Sequence, residues 1–173
     1  MTPSHVAHAV AEAIVIARTN GMTVPVVYNC GGYEPVETLR LLEGLVEIYM
    51  PDFKYADADA GKKYSGVPDY PEVATAALAE MYRQVGKLEL DGHVATTGVL
   101  VRHLVMPGDI AKSHEVIDIV ARTAPGCAIN VLGQYHPAYR AGEFPELVAR
   151  PSWDEISSLR KYAADQGLVR VDH

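Results

Sequence analysis

Apolar residues along this chain alternate between two rhythms: compact runs, and longer stretches with an apolar position every third or fourth residue. Val6, Val10, Ala13, Ile14 and Ala17 share one face at the second spacing and predict a helix over Val6–Asn20, with Gly21 as the residue that ends it. Val24-Pro25-Val26-Val27-Tyr28 is a compact run rich in β-branched residues, as expected of a strand buried on both faces. Glu34–Leu42 returns to helical spacing and Val46–Met50 reads as the next strand. Asp69-Tyr70-Pro71 opens a long helix reaching about Val85, with the proline in the first turn, where helices tolerate it. Val99–Val105 predicts a third strand, Ser113–Thr123 a helix and Ala128–Leu132 a fourth strand. Ser152, with Glu155 three positions on, forms a capping box for a last helix over Trp153–Gln166. Gly167 then leads into a closing strand, Leu168–Val171. Lys87–Thr97, which contains Asp91-Gly92, reads as a hairpin or loop.

Strands alternating with helices of this length imply βαβ units, an α/β class and mainly parallel strands joined by right-handed crossovers. In such folds the functional groups collect beyond the carboxyl ends of the strands. Asn29 and Cys30 follow the first strand, Asp52 and Lys54 the second, Pro107 and Gly108 the third, and Gln134, Tyr135 and His136 the fourth. No repeat, linker or low-complexity tract divides the 173 residues, so the expectation is a single domain over 1–173.

Composition narrows the function classes. The net charge of -7 is spread without basic runs, so no footprint for nucleic acid or anionic lipid is present. The amino terminus lacks a basic segment followed by an apolar one, and no stretch approaches the roughly 20 apolar residues that span a bilayer, so a cytoplasmic protein is expected. Two cysteines in no CxxC arrangement make neither a disulfide framework nor a zinc site.

Each candidate residue has a plainer rival reading. Lys54 at a strand end either contacts a ligand or pairs with a nearby carboxylate. Asp52 after Pro51 either binds a ligand or caps the next turn. Cys30 and Cys127 read as small buried hydrophobes, since neither has a cationic neighbour to make it a nucleophile. His5 and His8 have a metal-ligating helical spacing but no acidic third ligand. Gly31-Gly32 is too short for a phosphate-cradling loop, and the ten tyrosines scatter rather than forming a stacking platform.

Four segments taken in order, Asn29-Cys30-Gly31-Gly32, Asp52-Phe53-Lys54, Arg102 through Pro107-Gly108 and Gln134-Tyr135-His136, resemble the later strand ends of radical S-adenosylmethionine (SAM) enzymes. Among these the similarity is to pyruvate formate-lyase activating enzymes, and it runs from about Thr2 to Val171. The resemblance implies a partial (βα) barrel of about five strands, an incomplete TIM-like barrel forming the carboxy-terminal part of such an enzyme. It implies SAM as cofactor, with Asp52 and Lys54 facing its methionine moiety and Asn29 and Cys30 at the same end. Arg102 would reach either the ribose and carboxylate region or a neighbouring acid, and Tyr135 or His136 would lie against the adenine. Thr2-Pro3-Ser4-His5 stands where many relatives carry Gly-Gly-Glu and departs from it. The CxxxCxxC segment that holds the family's [4Fe-4S] cluster is absent, so no metal ligand and no catalytic residue is assigned, and the chain alone is expected not to cleave SAM. The cluster and the oxidoreductase activity belong to a longer parent chain, whose partner would be a glycyl-radical enzyme or another protein substrate. Missing early strands would leave an edge near Val24–Tyr28, so a missing amino-terminal piece or self-association is expected. Two other readings stand beside this one: a SAM- or adenosine-binding module without catalysis, and a lyase forming a Schiff base on Lys54 with Asp52 or Tyr28 moving protons.

Overall fold

A computed structural model describes residues 3–171, so Thr2 of the Thr2–His5 segment lies outside the described residues. Five parallel strands form one open sheet in the order β1 (Val27–Cys30), β2 (Ile48–Pro51), β4 (Val94–Leu104), β5 (Ala128–Leu132) and β6 (Val169–Arg170). A sixth strand, β3 (Glu89–Asp91), runs antiparallel to β4. The fold is therefore α/β with a mainly parallel sheet, as the alternating pattern predicts, and the sheet is not closed, as the resemblance to a partial barrel implies.

The two-residue period of the strands sorts side chains onto two faces. Tyr28, Tyr49, Val99, Val101, Ile129 and Val131 point to the core, where they meet α2 (Val36–Arg40), α4 (Tyr70–Val85), α5 (Ser113–Thr123) and α6 (Trp153–Asp165). Each long helix presents an apolar stripe to that face: Ala74, Ala77, Leu78 and Met81 on α4, Val116, Ile117 and Val120 on α5, Ile156, Leu159 and Ala163 on α6. The other face carries Asn29 and Arg102, both half-buried, and Leu104, which is exposed. α1 (Ala7–Thr19) is different, because only Ala7 and Ile14 are buried while Val15 and Ile16 face outward.

Where boundaries move, local chemistry accounts for it. The first strand starts at Val27 rather than Val24, because Pro25 has no N–H to give to a ladder. The helix expected over Glu34–Leu42 contracts to α2 after Pro35, and Glu34 turns inward to 1% exposure. The third strand reaches back to Val94 to close a hairpin with β3 around Gly92. Gly98 within it has φ 118°, and a Cβ there would stand 2.2 Å from the Lys87 carbonyl oxygen, so only glycine fits this close approach. An additional helix, α3 (Ala58–Ser65), is capped by Asp57, whose carboxylate accepts the Asp59 N–H at 2.8 Å, and ends at Gly66. At α6 the Ser152 hydroxyl accepts the Glu155 N–H at 3.1 Å, which is one half of the capping box.

A polar knot fastens α4 to α2. The buried Glu80 carboxylate accepts from Arg83 Nε and Nη2 at 2.9 and 2.8 Å and from Gln84 Nε2 at 2.9 Å, and Gln84 Nε2 also donates to the Leu39 carbonyl. The Arg83 guanidinium, and then the Gln84 amide, hold the Glu80 carboxyl down at about 2, below its usual 4.5. A depressed carboxyl stabilises the fold above its unfolded-state value, and that contribution is lost as pH falls from 4.5 through about 2. Glu80→Gln is expected to lower the unfolding free energy by about 1–2 kcal/mol at pH 7 and to flatten its decline between those two pH values. Urea unfolding at pH 7 and pH 3 reads both effects, and equal stability of the two proteins at pH 7 would refute the assignment.

Candidate functional site

The carboxyl ends of β1, β2 and β4 bring four polar side chains together on the face away from the core. Asp52 follows β2 directly and forms a parallel bridge to Arg102 of β4, so their side chains emerge on the same side. Arg102 donates to Asp52 Oδ1 from Nε at 2.9 Å and from Nη2 at 2.6 Å, and Nη2 also donates to Asn29 Oδ1 at 3.0 Å. Lys54 Nζ donates to the other carboxylate oxygen, Asp52 Oδ2, at 3.1 Å. One carboxylate thus sits between two cations, leaving a net positive charge and donors to spare. These groups retain 27% (Asp52), 30% (Arg102) and 45% (Lys54) exposure, so the pairs add little to stability and remain reachable by a ligand. They wall a cleft of about 210 Å³ together with Leu104, Leu132 and Gln134.

The backbone of Asp52-Phe53-Lys54 is anchored at successive groups. Asp52 N–H donates to the Cys30 carbonyl at 2.9 Å and Phe53 N–H to the Arg102 carbonyl at 2.8 Å. Lys54 N–H donates to the Tyr70 hydroxyl at 2.9 Å, and that hydroxyl faces the carbonyls of Gly31 and Asp52, each at 3.1 Å. The Phe53 carbonyl lies 2.7 Å from His103 Nδ1. A carbonyl only accepts, so Nδ1 carries the proton and Nε2, 2.9 Å from Ser113 Oγ, accepts the hydroxyl's. Burial pushes the His103 imidazole below its usual range, which favours this neutral form.

Tyr135 and His136 follow β5 and stand between two further clefts rather than in the Asp52 cluster. One, of about 260 Å³, is walled by Tyr55, Tyr64, Tyr135 and Phe144; the other, of about 300 Å³, includes Gln134 and Trp153. Gln134 lines both the second of these and the Asp52 cleft, and Tyr135 and His136 line the first two, so the three clefts neighbour one another beyond the strands. The Tyr135 hydroxyl donates to the Leu147 carbonyl at 2.7 Å, which fixes its ring.

Cys30 is the expected site residue whose side chain turns away from the cleft. It is 2% exposed and lies among the core side chains, as the plainer reading of a small buried hydrophobe has it, and burial above all pushes its thiol up to about 12. Cys127 is equally buried and shifted to about 12 for the same reason. Tyr28 is also a core residue, its ring 5.9 Å from that of Tyr49 and on the opposite face from Asn29. His5 lies in a 3₁₀ turn before α1 and His8 on α1, both exposed. Among the described residues no group of three or more His, Cys, Asp or Glu is placed to hold a metal ion, and no helix is long and apolar enough to cross a membrane. Tyr70 and His103 carry no ligand-binding signature in the sequence, although His103 shares the two-residue phase of Val99, Val101 and Val105, which marks it as inward-facing.

No protein-family model matches the chain. It is 29% identical over 146 residues to an uncharacterised protein of Methanocaldococcus jannaschii, a match covering 84% of this chain and 39% of that one, so the chain spans about two fifths of that relative's length. Among solved structures it resembles a domain of pyruvate-formate lyase-activating enzyme from Bacteroides vulgatus, with a TM-score of 0.71 over 100% of this chain and 94% of the other. At 12% identity that likeness establishes the fold.

Proposed function

We propose that this chain, with the fold of an activating-enzyme domain, is the carboxy-terminal SAM-binding portion of a radical SAM enzyme and acts as one unit over 1–173. The observation that carries the reading is the Asn29–Arg102–Asp52–Lys54 network at the mouth of the cleft. A methionine group is a zwitterion, and this donor set suits both of its charges. Its carboxylate meets the surplus positive charge of Lys54 and Arg102, and its ammonium meets the Asp52 carboxylate and the Asn29 amide oxygen. The aromatic walls by Tyr135 and His136 offer a π-face for the adenine. SAM, when bound beside an iron-sulfur cluster, supplies a 5′-deoxyadenosyl radical by one-electron cleavage. These residues do not fit the cluster itself, since two buried cysteines cannot provide three thiolates, so binding and orientation are the work assigned to them.

The partner in the parent reaction would be a glycyl-radical enzyme or another protein substrate. Two unbridged cysteines suit a reducing compartment, in keeping with a cytoplasmic protein. Among the described residues β1 pairs only with β2, and its free edge is where further strands of a longer protein, or a second copy, would join. A stand-alone binding module without catalysis is the second reading, favoured by the burial of both thiols. The lyase reading loses support: Lys54 Nζ is ion-paired and 45% exposed, and Tyr28 lies on the other face.

Calorimetric titration of the protein with SAM tests the proposal. Saturable binding is expected, and Lys54→Met is expected to weaken it about tenfold by removing one of the two cations facing the carboxylate. No binding at millimolar SAM, or equal affinity of the two proteins, would remove this assignment.

A further inference from the structure

We infer that Tyr70 is a positioning residue for this site: its buried hydroxyl joins the end of β1 to the end of β2 and thereby fixes where Asp52 and Lys54 stand. The inference rests on the ligand reading above only for its effect on affinity; the geometry is independent of it. One hydroxyl serves three backbone groups from two strand ends, accepting from Lys54 N–H at 2.9 Å and facing the Gly31 and Asp52 carbonyls at 3.1 Å each. With one proton for two carbonyls, it makes a three-centre bond bridging the loop after β1 and the residue after β2. The ring cannot swing away. Tyr70 is 3% exposed, with Tyr33 stacked on it at 6.2 Å and 13° and the rings of Phe53 and Tyr55 edge-on at 6.2 and 5.6 Å.

The bonds reach the ligand-facing atoms through a short path. Lys54 and Asp52 each have a backbone group on the Tyr70 hydroxyl, and Asp52 in turn holds the Arg102 guanidinium. Without the hydroxyl, the Lys54 N–H loses its acceptor and the strand end must shift to regain one. Shifts of that size misplace charged groups that work by geometry.

The test compares Tyr70→Phe with Tyr49→Phe, which also deletes a buried tyrosine hydroxyl, the one donating to Gln84 Oε1 at 2.6 Å, but away from the cleft. In Y70F the dissociation constant for SAM is expected to rise about tenfold, and in Y49F to stay within about twofold. In the ligand-free proteins, hydrogen exchange at Lys54 N–H and at Arg102 Nε–H, followed by NMR, is expected to quicken about tenfold in Y70F relative to the rest of the sheet, and not in Y49F. Exchange at both positions unchanged in Y70F, or quickened equally in Y49F, overturns the inference. If the unsubstituted protein does not bind SAM, the ligand reading fails while the exchange comparison still decides the role of Tyr70. Should Y70F not fold, the unsubstituted protein decides alone. A Lys54 amide exchanging as slowly as those of Asp52 and Phe53 upholds the clamp, and one exchanging as freely as in an unfolded chain overturns it.

Discussion

Gly32→Ala is expected to destabilise this protein by about 3–5 kcal/mol, a large share of the 5–15 kcal/mol that holds a domain together. Gly32 sits at φ 80°, and a Cβ built there lies 2.0 Å from the Asp52 carbonyl oxygen and 3.3 Å from the Tyr70 hydroxyl. The left-handed conformation alone costs an alanine about 1 kcal/mol. The clash costs more, because the obstacle is backbone rather than the end of a flexible side chain. The Asp52 carbonyl cannot retreat without losing Tyr70, and the Asp52 N–H is bonded to Cys30. Gly31→Ala is the control, since a Cβ on Gly31 meets nothing within 4 Å. Thermal unfolding of the two variants should therefore separate by many degrees, and equal midpoints would show that the close approach of the two strand ends is not as described.

Asp52→Ala is expected to do the reverse, sparing the fold and abolishing the site. Its carboxylate is the one negative charge between Arg102 and Lys54, at 2.6 and 3.1 Å. Removing it leaves two cations facing one another and takes away the proposed partner of the ligand's ammonium. A loss of SAM affinity of at least about a hundredfold, near 3 kcal/mol, is expected. Stability should change by only about 1 kcal/mol, because the ion pairs are partly exposed and the segment is held by its backbone. Calorimetry and urea unfolding on the same preparation measure the two effects, and an affinity within threefold of the unsubstituted protein would exclude Asp52 from the ligand's surroundings.

The parts of the fold carried by local periodicity were legible in the sequence, and the parts carried by single distant contacts were not. α5 and β5 coincide with their predicted bounds because Val116, Ile117 and Val120 mark one apolar helix face, and because the short run Ala128–Leu132 buries Ala128, Ile129 and Val131. Asn29, Asp52 and Lys54 are brought together because parallel strands all end on one side, so order along the chain becomes proximity in space, whereas Arg102 lies inside its strand and is singled out only by the family resemblance. β1 was displaced because the apolar run includes Val24 and Pro25, which the ladder cannot use. α3 escaped because Ala58–Ser65 has little apolar stripe; its signals were the Asp57 cap and Gly66. Tyr70 reads from sequence as the buried first turn of a helix. Nothing local tells that its hydroxyl reaches 39 residues back to Gly31.

The way Asp52-Phe53-Lys54 is held, by its main chain and by the buried Phe53 ring between the two charged residues, separates what the segment recognises from what keeps it in place. Cys30, Arg102, Tyr70 and His103 grip peptide groups that every amino acid except proline possesses. The residues at 52 and 54 are thus interchangeable teeth in a fixed jaw. Substituting them changes the polarity that the cleft presents while leaving these main-chain bonds in place, which makes this mouth a natural place to reprogram selectivity, provided that position 52 keeps a partner for Arg102.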